Sequence, residues 1–325
     1  MEHSGAQSKK LLNDAMAKLL YLSGYLIAIT ALFFMFTGHS DALPTGITLS
    51  PFQQEIGLQP GDTDRSFELT LTNNTPSVQE LRLNGQDFGS LNETGGVLLE
   101  GSKTYTQKYG LVSWLKLGTD SVVLEPKESR TITVTVQNRA SMQPGGHYGA
   151  VVASVISIDA AKKNKIVINQ QLLSLLLVKK IGGEAYDLQL VDIKNNGNLL
   201  HLPSTVQLRF HNPGNVHVVP RGIVRLKSPS GKVLSQGIIN SESAFVLPET
   251  YREVYVPLSK VSSQYLLPGV YRIEVEYRYE GILKTVKKSS QVHFVSLPTY
   301  FLVVLCIAGI AYVLKAQKTR RKIAK

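Results

Sequence analysis

Hydrophobic and polar residues alternate along several stretches in the middle of the chain. The alternation is clear in Phe67–Thr72, Thr131–Val136, Val206–Phe210 and Tyr271–Tyr279. Successive side chains of an extended chain point to opposite faces, so this period of two predicts strands with one face in a core and the other in water. The valine, threonine and tyrosine residues in these stretches also suit strands.

Turn-forming residues separate these stretches. Clusters rich in proline, glycine and asparagine fall at 59–62, 144–146, 212–215, 229–231 and 267–269, and such clusters mark turns between strands. No long stretch between the two apolar segments described below shows the 3.6-residue period of an amphipathic helix. The pattern predicts an all-β protein with two tandem Ig-like β-sandwich domains, at 43–181 and 184–295.

One short stretch is apolar without alternation. Residues Leu172–Val178 are apolar except for Ser174, and seven residues are too few to cross a bilayer. The stretch therefore predicts a central strand that is covered on both faces and closes the first domain. Gly182-Gly183 follows and is interpreted as the boundary between the domains.

A nineteen-residue apolar segment lies near the N-terminus, at 19–37. Lys9, Lys10 and Lys18 precede it, and Ser40-Asp41-Ala42 provides small residues at cleavage-site spacing. This order is typical of a secretory signal peptide. The apolar segment is also long enough for an uncleaved signal anchor, so residues 1–42 are predicted to be one or the other.

A second apolar segment, at 297–314, is followed by a basic tail at 315–325. Eighteen helical residues span about 27 Å, close to the thickness of the hydrocarbon core. Tyr300 and Tyr312 lie near the two ends, where interfacial aromatic residues are favoured. The segment predicts a transmembrane helix with a cytoplasmic tail, and hence a single-pass cell-membrane protein with extracytoplasmic domains after signal cleavage.

The distribution of charge matters more than its total. The formal net charge is +11, and six basic residues lie in the last eleven positions without an acidic residue among them. The middle of the chain has no basic stripe with interleaved aromatic residues, so no nucleic-acid partner is expected. The only cysteine, Cys306, lies in the second apolar segment, which leaves the two predicted domains without a disulfide.

The order of several short motifs in the first predicted domain resembles a known family. The motifs are Leu58–Asp62, Phe67–Asn74, Leu124–Thr131 and Gly145–Ala150. Together they are similar to the peptidoglycan-binding domain of WxL-interacting surface proteins of bacteria, which is related to PapD-like pilus chaperones. The resemblance covers residues 46 to 180, and it implies that the partner is cell-wall polymer (peptidoglycan) or another surface protein.

No motif of a catalytic, cofactor or metal site stands out. His201, His211 and His217 flank a turn without cysteine and with few acidic residues nearby, which favours exposed histidines over a metal site. Neither a nucleophile elbow nor a phosphate-binding glycine loop is present. The sequence therefore predicts a protein that is not an enzyme, with no catalytic residues, cofactor or metal ion.

Three aromatic residues are the candidates for binding. Tyr105 and Tyr109 fall in the polar stretch 102–110, which is predicted to be an exposed loop where tyrosines could contact sugars or peptides. Trp114, the sole tryptophan, is a further candidate, although a lone tryptophan in an Ig-like domain is usually part of the core.

Two functions remain open on these observations. The first is a membrane-anchored cell-surface binding or adhesion protein that contacts cell-wall glycan or a surface protein. The alternative is an exported, chaperone-like assembly factor that lends a strand edge to a client protein.

Overall fold

A computed structural model describes residues 46–99, 103–156, 170–262 and 266–323. Residues from Gly46 onward belong to one compact unit. The predicted signal segment at 1–42 lies outside the described residues.

The first part of the unit contains ten strands and two short helices. They are β1 Ile47–Ser50, β2 Gln53–Leu58, β3 Arg65–Asn73, β4 Gln79–Ser90, β5 Val97–Leu99, helix α1 Lys103–Tyr109, a 3₁₀ turn at Val112–Trp114, β6 Leu115–Leu117, β7 Ser121–Leu124, β8 Ser129–Val136, β9 Gly145–Val155 and β10 Gln171–Lys180.

The second part contains eight strands and a long helix. They are β11 Gln189–Asn195, β12 Thr205–His211, β13 Arg221–Lys227, β14 Val233–Ile239, β15 Tyr251–Pro257, β16 Ser259–Lys260, β17 Gly269–Arg278, β18 Val286–Phe294 and helix α2 Leu297–Ile323.

Two sheets form the first sandwich. One has the order β1-β3-β8-β6, and the other has the order β2-β10-β9-β4-β5, with β7 paired to β4. The alternating residues of β3 and β8 meet in the core between the sheets, where Leu69, Leu71 and Val134 are fully buried. The polar residues of the same strands form a hydroxyl ladder on the outer face, such as Ser66 with Thr135 at 2.8 Å.

The second sandwich follows the same plan. A sheet of order β11-β12-β15 faces a sheet of order β16-β14-β13-β17-β18. Val206, Leu208 and Phe210 of β12 and Ile273 and Val275 of β17 are buried between them. The all-β prediction is confirmed, since the strands make two sandwiches stacked along the chain.

The apolar stretch Leu172–Val178 lies inside β10, which pairs with β9 along its whole length and with β2 along its second half. Leu176 and Val178 point into the core of the first sandwich, whereas Leu175 and Leu177 point into a separate apolar cluster on the opposite face. The prediction of a strand that is covered on both faces is confirmed.

The segment at 297–314 is helical, but the helix does not end there. Helix α2 continues past residue 314 through Lys315 to Ile323 and so includes much of the predicted basic tail. In the part of the chain that the structure describes, no helix is both long enough and apolar enough to cross a membrane.

Candidate functional site

The outer face of the β2-β10-β9-β4-β5 sheet is covered rather than exposed to solvent. Phe88, Tyr148 and Leu177 from this sheet are buried there beneath helix α1. Phe245 and Leu247, from the loop between β14 and β15, complete the cluster. The second sandwich thus contributes apolar side chains to the surface of the first, and the two sandwiches share a buried joint.

Tyr105 and Tyr109 lie in this joint and not in an exposed loop. The stretch 103–109 forms helix α1, and only 3% of Tyr109 is exposed. The two rings pack with their centroids 5.0 Å apart, and the Tyr105 ring also lies over Gly89. Burial raises the pKa of both phenols. The predicted exposure of these tyrosines is wrong, because they are spaced four apart and fall on one side of a helix that faces the sheet.

The Tyr109 hydroxyl donates a hydrogen bond to the Glu249 carboxylate at 3.1 Å. Lys108 forms an ion pair with the same carboxylate. Helix α1 is therefore tied to the second sandwich by polar contacts as well as by apolar ones.

Trp114 lies at the end of the 3₁₀ turn and is half-buried against the core of the first sandwich. Its indole Nε1–H donates to the Ser141 hydroxyl at 3.3 Å, and its ring meets the edge of the His147 ring at 5.2 Å. Packing accounts for the position of this side chain. Its role in binding stays a prediction.

A buried tyrosine and a buried histidine meet where the two sandwiches join. The Tyr148 hydroxyl accepts the backbone N–H of His217 at 2.8 Å and lies 3.2 Å from Nδ1 of the same histidine. A neutral imidazole that accepts the hydroxyl proton at Nδ1 carries its own proton on Nε2, and the other tautomer donates from Nδ1 to the hydroxyl. Burial lowers the pKa of His217, which favours this neutral form.

The Nε2 atom of His217 is buried without a hydrogen-bond partner, and it lies 3.9 Å from the carboxylate of Glu55 on β2. Glu55 forms one wall of a cleft of about 380 Å³ that also contains Arg221, Arg278 and Glu280. Lys179 on β10 pairs with Glu280 at 2.5 Å across the joint. The cleft therefore places charges of both signs beside β2.

A second contact joins the sandwiches through the hairpin between β4 and β5. Glu93 at the hairpin tip forms a bidentate pair with the Arg209 guanidinium, at 2.6 and 2.7 Å. The Glu93 carbonyl also accepts the backbone N–H of Glu253 on β15 at 2.6 Å. The two sandwiches are therefore in contact at two separate places.

Among the described residues, part of one edge of the first sandwich has no neighbouring strand. Strand β2 runs parallel to β10 but pairs only with its second half, from Leu175 to Lys180. The preceding strand, β1, belongs to the opposite sheet and ends at Ser50. Pro51 lies between β1 and β2, where the chain passes from one sheet to the other. No described strand pairs with β10 beside Gln171–Leu173, and we call this position vacated. Ser174 is fully buried, and its hydroxyl donates to the Pro51 carbonyl at 2.7 Å.

The backbone groups at this position can be assigned. Because Val155 N–H donates to the Gln170 carbonyl, the even-numbered residues of β10 bond to β9, and the odd-numbered residues point the other way. Leu175 N–H accordingly donates to the Phe52 carbonyl at 2.8 Å. The N–H and C=O groups of Gln171 and Leu173 therefore face the vacated position.

Phe52 lies next to these groups and is 65% exposed. We call Phe52 together with Gln171–Leu173 the open edge. An unpaired strand with an exposed aromatic residue beside it offers both backbone hydrogen bonds and apolar surface to another chain. Little in the sequence indicates the open edge, except that Pro51 interrupts an otherwise extended segment.

The three histidines considered as metal ligands lie in three different surroundings. His201 is exposed and bonds to Asn198, His211 stacks on Tyr251 at 4.3 Å, and His217 lies in the joint. Among the described residues, no group of histidine, cysteine and acidic side chains is placed to hold a metal ion.

Neither a protein-family model nor a curated protein matches the chain, so the resemblance to WxL-interacting proteins stays a prediction. Solved structures of similar architecture include a chaperone–tip adhesin complex of CFA/I fimbriae (13% identity, TM-score 0.42, 76% of this chain and 98% of that one). Others are the class 5 fimbriae chaperone CfaA (14%, 0.40, 78% and 100%) and the E. coli chaperone DraB (12%, 0.35, 77% and 98%). Overlap at this level does not bear on what the protein binds.

Proposed function

We propose that this protein is a non-catalytic binding protein that holds an extended segment of a partner protein by strand addition at the open edge. The open edge is the observation that carries the proposal. Strand addition uses backbone hydrogen bonds for affinity and side-chain contacts for specificity.

The open edge has room for only a short added strand. Gln171 and Leu173 together offer two N–H donors and two C=O acceptors, and no described strand pairs with β10 on this side at these two residues. A segment bound there would continue the line of β2 and lie against the exposed ring of Phe52. The partner is therefore expected to be an extended chain with an apolar residue that packs on Phe52.

The other face of β10 is unsuited to this role. Leu173, Leu175 and Leu177 point toward the joint, where helix α1 and the loop of Phe245 and Leu247 cover them. A client that needed these alternating leucines would have to displace the second sandwich. The proposal is therefore addition to a strand edge and not insertion of the leucine row into a client.

Capture of wall glycan by Tyr105 and Tyr109, as the sequence suggested, would require both side chains to leave the joint. Tyr109 is almost completely buried and bonds to Glu249. These residues are accordingly assigned to the joint, and a protein segment at the open edge is the better-supported ligand.

Photo-crosslinking in cells tests the proposed function. A photoreactive amino acid replaces Phe52 or Gln171, with replacement of Leu199, which is 60% exposed in the second sandwich, as the matched control. Adducts to a second protein from positions 52 and 171 but not from 199 are expected. No adduct at the open edge, or equal adducts at all three positions, would contradict the proposal.

We also propose that the two sandwiches lie outside the cytoplasm. The proposal rests on the apolar segment 19–37, the lysines before it and the small residues at 40–42. Protease added to cells stripped of their wall should digest both sandwiches while a cytoplasmic marker survives. Sandwiches that are protected until the membrane is lysed would contradict it.

A further inference from the structure

The outer face of the β14-β13-β17-β18 sheet is densely charged. Residues of β13 and β17 alternate between the core and this face, with Val224, Leu226, Ile273 and Val275 buried. The opposite positions place six basic and two acidic side chains on the face, which we call the basic face: Arg221, Arg225, Lys227, Arg272, Arg278 and Lys287, with Glu274 and Glu276.

The two acidic residues are already paired. Glu276 accepts hydrogen bonds from Lys287 at 2.8 Å and Arg225 at 2.5 Å, and these two cations lower its pKa to about 2. Glu274 pairs with Lys227 at 2.6 Å. The acidic side chains thus hold the centre of the basic face in a fixed arrangement and are not available to the remaining arginines.

Those remaining arginines are Arg221, Arg272 and Arg278. The side chains of all three are exposed, and none of these guanidinium groups forms a hydrogen bond or an ion pair with a described residue. Arg221 lies directly opposite Arg278 in the strand register, and Arg272 lies directly opposite Lys227. Like charges at directly opposite positions destabilise a sheet. Glu55 and Glu280 share a cleft with Arg221 and Arg278, but Glu280 pairs with Lys179. An anion could therefore still bind the unpaired guanidinium groups at both ends of β17.

Two depressions lie between the ends and share Glu276 as a lining residue. Arg272, Glu274 and Glu276 line a depression of about 560 Å³, and Glu276 and Arg278 line a second one of about 320 Å³. Arg272 and Arg278 are six positions apart on one strand, a distance of roughly 20 Å. The basic face therefore fits a long, narrow ligand that carries negative charge along its length.

We propose that the basic face binds a linear phosphate polymer. Arg221 and Arg278 would hold phosphate groups at one end of the face, and Arg272 would hold them at the other end. Guanidinium groups match phosphate oxygens in bidentate geometry. The face presents side chains and not a strand edge, so charge and not backbone pairing selects the ligand. The inference stands apart from the open edge, which lies on the first sandwich.

Nucleic acid is a poorer candidate for the basic face. Single-stranded nucleic acid is held by basic residues together with aromatic side chains on which the bases stack. The outward positions of β13 and β17 carry Ile223 and charged residues but no aromatic ring. A polymer that consists of phosphate groups without bases fits this surface better.

Titration of the full-length protein with long-chain inorganic polyphosphate tests the inference. The test variant is R221Q/R272Q/R278Q, and the control variant, R65Q/R82Q/K116Q, removes the same charge from exposed positions of the first sandwich. We expect an affinity loss of about tenfold or more in the test variant, because charge-assisted contacts are lost at both ends of one chain. The control variant should keep its affinity.

The salt dependence gives a second readout. Each phosphate contact contributes about 0.9 to the slope of log affinity against log salt in nucleic-acid complexes, so the test variant should lose roughly 2 to 3 from that slope. Its melting temperature should be unchanged or higher, since two like-charge pairs are removed. Equal losses in both variants would overturn the inference, and so would equally tight binding of poly-glutamate or of single-stranded DNA by the parent protein.

Discussion

The hydroxyl of Tyr148 is a buried polar group in the joint between the two sandwiches. It accepts a hydrogen bond from the His217 backbone N–H and forms another with Nδ1 of the His217 ring, in fully buried surroundings. Neither group of His217 has a described alternative partner. The joint therefore contains a small polar network inside an apolar interface, and such networks are sensitive to the loss of one member.

Replacement of Tyr148 by phenylalanine should lower the free energy of unfolding by roughly 1–3 kcal/mol, because two buried groups of His217 lose their partner. Urea denaturation measures the change. The matched control is Tyr255→Phe, since Tyr255 is 58% exposed and bonds only to Glu253. A change at Tyr148 no larger than that at Tyr255 would contradict the assigned network.

The buried histidine also predicts a dependence of stability on pH. Because burial lowers the pKa of His217 in the folded state, the unfolded chain binds a proton more readily below its own pKa of about 6.5. The charged groups that face His217 are Glu55, Lys179 and Glu280. The contribution of neutral His217 to the free energy of unfolding is complete above about pH 6.5 and is lost as the pH falls below that value.

The measurement is the free energy of unfolding between pH 7.5 and pH 5, compared with that of His217→Asn. The parent protein should lose stability over this range, and the variant should lose less. Identical pH profiles would show that His217 does not titrate differently in the folded and unfolded states.

Tyr105 and Tyr109 show where reading the sequence failed. The stretch 102–110 is polar, and polarity suggested an exposed loop, but the two tyrosines are spaced four residues apart, which places them on one face of a helix. The apolar surface beneath them comes from strands that are distant in sequence. That surface could not be inferred from the stretch itself, although the spacing could have raised the question.

The double replacement of Tyr105 and Tyr109 by alanine should destabilise the protein strongly. Truncation of a fully buried aromatic side chain costs roughly 3–5 kcal/mol, and Tyr109 is nearly fully buried. Thermal unfolding followed by circular dichroism checks this expectation. A melting temperature equal to that of the parent protein would restore the view that both residues are exposed.

At the scale of elements, the strands were predictable and their partners were not. Period-two alternation identified β3, β8, β12 and β17, and an uninterrupted apolar run identified the doubly covered strand β10. The sequence contains no comparable signal for the pairing of β2 with β10, which joins residues more than one hundred positions apart. The open edge is a consequence of that pairing, so it could not be predicted from alternation alone.

The basic face could be predicted from the sequence only in part. The alternation of charged residues along Tyr271–Tyr279 was visible in the sequence and was interpreted as the wet face of a strand. Register decided the rest, because only the pairing of β13 with β17 sets Arg221 opposite Arg278 and Lys227 opposite Arg272. A cluster of charge that arises across strands is hidden until the strands are paired.

At the scale of the whole molecule, the two sandwiches are expected to unfold together. They share the cluster of Phe88, Tyr148 and Leu247 and a second contact through Glu93 and Arg209. Calorimetry of the parent protein should therefore show one cooperative transition. Phe245→Ala, which weakens the shared cluster, should broaden or divide it, whereas two separate transitions in the parent would contradict a coupled joint.

The same coupling fixes the surroundings of the open edge. The backbone groups that the open edge offers lie at the start of β10, and the other end of β10 forms part of the joint through the ion pair of Lys179 with Glu280. A partner segment would thus add to a strand that is anchored on its other side and at its far end. Such a preorganised edge reduces the ordering that the protein itself must undergo on binding.

Amide hydrogen exchange within β10 tests the central claim most directly. Leu173 N–H faces the vacated position, whereas Leu172 N–H bonds to β9, so the two neighbouring amides serve as test and control in one molecule. In the free protein Leu173 should exchange rapidly and Leu172 slowly, and in the complex with the partner captured by crosslinking Leu173 should become protected. Slow exchange of Leu173 in the free protein, or exchange unchanged by the partner, would contradict the open edge as the binding site.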